Sequence, residues 1–80
     1  MISIVGHYRV ASGRTMHIAS AFSDRVFELQ PLFYNIFLFI KLQPRTREEI
    51  YSFASQYQTP PERVDEFLTF LSNSHISTES

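Results

Sequence analysis

Cysteine is absent from this chain of 80 residues. Disulfide bonds, thiolate metal sites and catalysis by a thiol are therefore excluded together. A chain without cysteine suits the reducing environment of the cytosol, and we expect a cytoplasmic protein.

Long hydrophobic runs are absent as well. The longest one, residues 32–42, is interrupted by Asn35 and Lys41 and is much shorter than the ~20 residues that a membrane-spanning helix needs. No basic segment precedes a hydrophobic one near the N-terminus, so we expect no signal peptide. The length indicates one domain, spanning 1–80, whose modest core needs most of the apolar side chains.

Patterns that would support catalysis or metal binding are lacking. His7, His17 and His75 do not have the spacing of metal ligands, and we interpret them as solvent-facing. The adjacent acids at positions 48 and 49 belong to a helix start, and those at 65 and 66 to a solvated helix face. We therefore expect a protein that is not an enzyme and that uses no metal or cofactor.

Positive charge is scarce in the second part of the chain. Residues 1–47 contain six Arg or Lys and two acids, whereas residues 48–80 contain Arg63 and six acids. The last predicted helix is therefore acidic, which disfavours nucleic acid as its partner. Arg45 and Arg47 could contact phosphate, but charges beside a helix start are more often solvated.

The first part of the chain has the alternating pattern of short strands. Residues 8–10, 15–19 and 25–29 alternate apolar and polar side chains, and turn-forming residues separate them. This predicts a three-stranded antiparallel sheet, with one face directed to the core. The side chains predicted on that face are Tyr8, Val10, Met16, Ile18, Phe27 and Leu29. Residues 1–6 could extend the first strand.

Three helices are predicted after the sheet, which makes the fold α+β. Residues 31–42 could form a buried strand, but the length and the proline at a first helical position favour a helix. Thr46 with Glu49, and Thr59 with Glu62, have capping-box spacing and predict helices at about 46–56 and 60–73. The ordered part is expected to end near Ile76, with a polar tail at 77–80.

Phe70 does not fit the apolar stripe of the third helix, which Val64, Phe67, Leu68 and Leu71 form. It could simply close the edge of a small core. Alternatively, it lines a groove beside residues 25–29, which as an edge strand could accept an extended peptide. The acids at positions 65 and 66 would then favour basic residues in the peptide.

Several segments of the sequence resemble the PqqD-like family, the recognition elements for precursors of ribosomally made, modified peptides. The resemblance covers about residues 7–77. It is carried by the strand 24–30, the apolar helix after it, the start of the second helix at 46–50, and the segment 60–64. Tyr57, Leu68, Leu71 and Ile76 complete it. His75 stands where a helix-ending glycine is common in the family.

The resemblance implies a winged-helix-turn-helix-like fold and a peptide-binding function. Family members bind the leader segment of a precursor as an added strand between the third strand and the third helix. They present it to a modifying enzyme, such as a leader peptidase, a radical SAM enzyme or a cyclodehydratase. The matching positions in this chain are Arg25, Val26, Phe27, Glu28, Leu29, Arg63, Glu66, Phe67 and Phe70.

Two further hypotheses remain open from the sequence. The second and third helices have helix-turn-helix dimensions, so the domain could bind DNA, with Arg9, Arg14 and Arg25 as a basic wing. It could also be an interaction module of another assembly that dimerises through its edge strand. We favour the adaptor that binds a leader peptide, because of the order of sheet and helices, the off-stripe position of Phe70 and the small size of the domain. The acidic third helix opposes DNA binding.

Overall fold

A computed structural model describes residues 1–6, 8–13, 16–20 and 26–79, apart from the side chain at position 12. Its elements are β1 (Ile2–Ile4), β2 (Tyr8–Ser12), β3 (Met16–Ser20), β4 (Val26–Leu29), α1 (Pro31–Leu42), α2 (Arg47–Ser55), α3 (Pro61–Asn73) and β5 (Ser77–Glu79). Among the predicted residues, His7, Arg14, Thr15 and Arg25 lie outside the described residues.

The α+β class is confirmed, with a three-stranded antiparallel sheet followed by three helices. The sheet order is β2-β3-β4, and Ile18 in the central strand is paired with Val10 on one side and Phe27 on the other. Ile18 and Leu29 are buried on the predicted face, whereas Val10 is 38% exposed. The helices therefore cover the central strand and β4 better than the outer strand β2.

A second small sheet joins the two ends of the chain. β1 and β5 pair antiparallel, with Ile2 opposite Glu79 and Ile4 opposite Ser77. Residues 1–6 therefore do not extend the first predicted strand, and the prediction of a tail at 77–80 is wrong for 77–79. Each strand has only three residues, and its partner lies at the opposite chain end, so local sequence patterns do not reveal the pairing.

The ambiguous segment at 31–42 is a helix, with the predicted bounds. Ile36, Phe37 and Ile40 are buried on one side of α1, while Leu42 is 80% exposed on another. The predicted stripe of α3 is buried throughout, and in α2 Ile50 and Ala54 are buried. Among the described residues, none of the helices has the length and apolar character required to span a bilayer.

Only one of the two predicted capping boxes is formed. Thr46 Oγ1 accepts from the backbone N–H of Glu49, and the Glu49 carboxylate accepts from the Thr46 N–H at 3.0 Å. The box predicted for Thr59 and Glu62 is wrong, because α3 has Pro60 at its N-cap and no side-chain cap. A residue that precedes proline is driven to extended backbone, so Pro61 prevents Pro60 from being helical.

Helices α2 and α3 end in the same way, each with a left-handed residue that is not glycine. Gln58 and His75 both have φ of 59°. The N–H of Ile76 bonds to the carbonyl of Leu71 and that of His75 to Ser72, which is a Schellman motif. Gln58 has the equivalent place after α2, where it turns the chain toward α3.

Candidate functional site

Strand β4 is an edge of the three-stranded sheet. It pairs on one side with β3, from Val26 opposite Ala19 to Leu29 opposite Met16, and no other described strand pairs with it. In an antiparallel pair, alternate residues use their N–H and C=O groups for the partner and the others direct theirs outward. The outer side of β4 therefore presents backbone donors and acceptors that another extended segment can use.

A groove of about 320 Å³ lies beside this open edge, between β4, the start of α1 and one flank of α3. We call it the β4–α3 groove. Its lining residues are Phe27, Glu28, Leu29, Phe33, Arg63, Glu66, Phe67 and Phe70. Side-chain pockets next to unpaired strand backbone are the arrangement used in recognition by strand addition.

Four phenylalanine rings and Leu29 form the apolar part of the groove. Phe27 and Phe70 meet edge to face with centroids 4.4 Å apart, and Phe33 packs on Phe67 at 5.0 Å. The rings of Phe67 and Phe70 are 6.3 Å apart. Phe67 is buried, whereas Phe70 is half-buried, so Phe70 both closes the core and lines the groove. The two interpretations of Phe70 from the sequence are therefore compatible.

Seven of the nine predicted peptide-binding residues lie together around this groove. Val26 does not: its side chain is 59% exposed and does not line the groove, so only its backbone lies at the open edge. Arg25 lies outside the described residues. Phe33 also lines the groove but was not predicted, because its aromatic side chain lies in an apolar helix where core packing is the simplest interpretation.

Charged side chains border the groove, but not all the predicted ones. Glu28, Glu66 and Arg63 line it. Asp65 lies on the other side of α3, where its carboxylate accepts hydrogen bonds from Arg47 and from the hydroxyl of Tyr51. The bond to Asp65 raises the pKa of Tyr51 above its ordinary value. The expectation that Asp65 selects basic peptide residues is therefore not supported, whereas Glu66 has a suitable position.

The two arginines at the start of α2 both have partners within the protein, although Arg47 is still partly exposed. Arg45 stacks on the ring of Phe39, with 3.8 Å from Cζ to the centroid, and its Nε donates to the Phe39 carbonyl. Arg47 contacts Asp65 at 3.1 Å and Glu79 at 2.9 Å, and the bond to Glu79 raises the pKa of Arg47. Both guanidinium groups therefore have partners that compete with a phosphate.

A smaller cavity of about 140 Å³ lies beside the ion pair of Arg47 and Glu79, between α3, β1 and β5. The charged groups that line it, Arg47 and Glu79, already pair with each other. We therefore interpret this cavity as part of the contact that attaches β5 to the helices, and not as a ligand site. Within the described ranges, no three His, Asp or Glu side chains are grouped so that they could hold a metal ion.

Comparison of the chain with protein-family models, with curated proteins and with solved structures finds no match. The functional interpretation therefore depends on the geometry of the β4–α3 groove.

Proposed function

We propose that this protein is a non-catalytic adaptor that binds the leader segment of a ribosomally made precursor peptide. The peptide adds to the open edge of β4 as a fourth strand, and the adaptor presents it to a modifying enzyme. Following the resemblance to the PqqD-like family, this enzyme is a leader peptidase, a radical SAM enzyme or a cyclodehydratase. Because precursor peptides are made in the cytoplasm, we assign the adaptor to that compartment.

The observation that supports this proposal is the position of an unpaired strand edge beside an aromatic groove. Backbone hydrogen bonds to β4 supply affinity that does not depend on the peptide sequence. The pocket between Phe27, Phe67 and Phe70 takes an apolar side chain of the peptide, which supplies specificity. A side chain on the next position of the added strand points away from this pocket, because strand side chains alternate.

Glu28 and Glu66 are exposed at the groove and form no ion pair with the described residues. A Lys or Arg of the peptide beside them gains attraction without displacing an internal partner. We therefore propose that the bound segment contains a basic residue close to its apolar anchor.

DNA binding is the alternative function, and the charges of α3 oppose it. The solvent side of α3 carries Glu62 and Glu66, and Arg63 is its one cation. Duplex affinity comes mostly from Lys and Arg at phosphates, and Arg45 and Arg47 are already bound. Of the proposed wing, Arg9 is exposed on β2, while Arg14 and Arg25 lie outside the described residues.

An NMR titration of the labelled protein tests the proposal. One titration adds the leader segment of a candidate precursor encoded at the same locus as this protein. The other adds a duplex DNA. We expect the leader to shift the amide signals of β4 and α3, and to give nuclear Overhauser contacts between its backbone and that of Val26–Leu29.

The contacts between backbones distinguish strand addition from simple occupation of an apolar pocket. A leader that binds without them would contradict the strand-addition mechanism. No response to the leader, together with shifts around Arg9 on addition of DNA, would replace the adaptor function by DNA binding.

A further inference from the structure

The β4–α3 groove continues into a second cavity. This cavity has about 380 Å³ and lies at the connection between α2 and α3, and we call it the turn pocket. Its lining residues are Gln30, Leu32, Phe33, Gln58, Thr59, Pro60 and Arg63. Phe33 and Arg63 line both cavities and thus mark the boundary between them.

The direction of β4 leads a bound segment from one cavity into the other. Phe27 contacts Phe70 on α3, and two residues later the strand reaches Leu29, the last residue before Gln30. Gln30 itself lines the turn pocket. A segment that pairs along β4 therefore passes Arg63 when it leaves the strand at that end.

Arg63 differs from the other two arginines of the helical part. Arg45 is bound by Phe39 and Glu49, and Arg47 by Asp65 and Glu79. Arg63 is exposed and forms no ion pair or side-chain hydrogen bond with the described residues. Its guanidinium group keeps its full capacity for a ligand.

The place of Arg63 in α3 is also electrostatically unfavourable. It is the third residue of a helix that begins at Pro61, and the positive end of the helix dipole disfavours a cation in the first turn. No ion pair with the described residues offsets this cost. Recognition of an anion gives Arg63 a role that the fold itself does not provide.

We propose that the bound peptide carries an acidic side chain that pairs with Arg63, followed by an apolar side chain that enters the turn pocket. This inference rests on the proposed function. It adds two features of the bound peptide, an acidic residue and a second apolar anchor. Arginine is suited to this role because its planar guanidinium group binds a carboxylate through two parallel hydrogen bonds. The turn pocket offers Leu32, Phe33 and Pro60 as apolar walls.

Selection from a random library tests this without knowledge of the natural partner. Peptides of 16 random residues are displayed on their own mRNA and selected on the wild-type protein, on Arg63→Glu and on Arg9→Glu. Arg9 is an exposed cation on β2 and supplies the matched control. Arg63→Glu is expected to fold, because an acid in the first turn of a helix is favourable.

We expect the wild type to enrich peptides with Asp or Glu at a constant distance from an apolar anchor. Arg63→Glu should enrich Lys or Arg at that position, whereas Arg9→Glu should give the wild-type pattern. For one selected peptide, Arg63→Glu should weaken binding about tenfold, because attraction is replaced by repulsion. In an NMR titration with the same peptide, the amide signals of Gln58 and Thr59 should shift. A peptide that lacks the apolar residue beyond the acid should no longer shift them.

The outcomes separate this inference from the proposed function. Enriched peptides that pair with β4 but show no preference for an acid would overturn the role of Arg63 and leave the adaptor function intact. The same acid preference in Arg63→Glu would also overturn it. Failure to enrich any peptide on the wild type would overturn both.

Discussion

The ring of Phe27 in β4 meets the ring of Phe70 in α3 edge to face, with centroids 4.4 Å apart and an angle of 67° between planes. Both rings line the β4–α3 groove. The pair thus fixes the distance between the strand that offers backbone groups and the helix that offers side chains. Loss of either ring removes this contact and part of the apolar surface of the groove.

Phe70→Ala is expected to abolish peptide binding while the domain stays folded. Phe70 is half-buried, so its removal should lower the free energy of unfolding by about 1–3 kcal/mol, less than for a fully buried phenylalanine. The matched control is Phe53→Ala, because Phe53 is also half-buried and stacks on Phe39 at 4.3 Å outside the groove. Chemical denaturation and fluorescence anisotropy with a selected peptide measure the two effects. Equal loss of binding in both variants would show that stability, not the groove, is responsible.

The two threonines before the helices should respond differently to substitution. Thr46→Ala removes a formed capping box and should lower the free energy of unfolding by about 1 kcal/mol. Thr59→Ala should change it by less than about 0.5 kcal/mol, because no side chain caps α3. Urea denaturation of both variants measures the difference. A cost for Thr59→Ala equal to that for Thr46→Ala would contradict the start of α3 at Pro61.

Glycine at the left-handed positions should stabilise the protein. Gln58→Gly and His75→Gly each relieve left-handed backbone at a residue with a Cβ, which should raise the free energy of unfolding by up to about 1 kcal/mol. The control is Gln56→Gly, because Gln56 has right-handed backbone with φ of −62°. That variant should be destabilised by about 0.5–1 kcal/mol. A stabilising effect of all three glycines would indicate a cause other than φ.

The stability of the domain should fall in acid. Hydrogen bonds from Arg47 lower the pKa of Glu79 below its ordinary 4.5, and the backbone N–H of Thr46 does the same for the pKa of Glu49. The resulting stabilisation is present above the ordinary value and is lost as the pH falls through each lowered pKa. The thermal midpoint should therefore decrease on acidification from about pH 6 to about pH 3.

The double variant Glu49→Gln, Glu79→Gln should show a smaller decrease over the same range, because neither side chain titrates. Its thermal midpoint at neutral pH should lie below that of the wild type. Curves of equal slope for the two proteins would mean that other carboxylates cause the acid sensitivity.

Local sequence patterns determined most of the secondary structure of this protein. The periodicity of α3, the capping box at Thr46 and the proline at the start of α1 each act within a few residues, and the structure confirms them. The alternation in β2–β4 likewise predicted the central sheet. These signals are readable because hydrogen bonding and burial in them depend on neighbours in the sequence.

Other features were decided only by contacts between distant residues. The pairing of β1 with β5, and the engagement of Arg47 by Asp65 and Glu79, join residues that no sequence period relates. The position of Phe33 beside Phe67, and of Arg63 between two cavities, depends on how α1 packs against α3. The sequence alone therefore determined the central sheet and the three helices, and it nominated the edge strand. Tertiary packing decided which aromatic and charged side chains surround it, because those contacts form between elements and not within them.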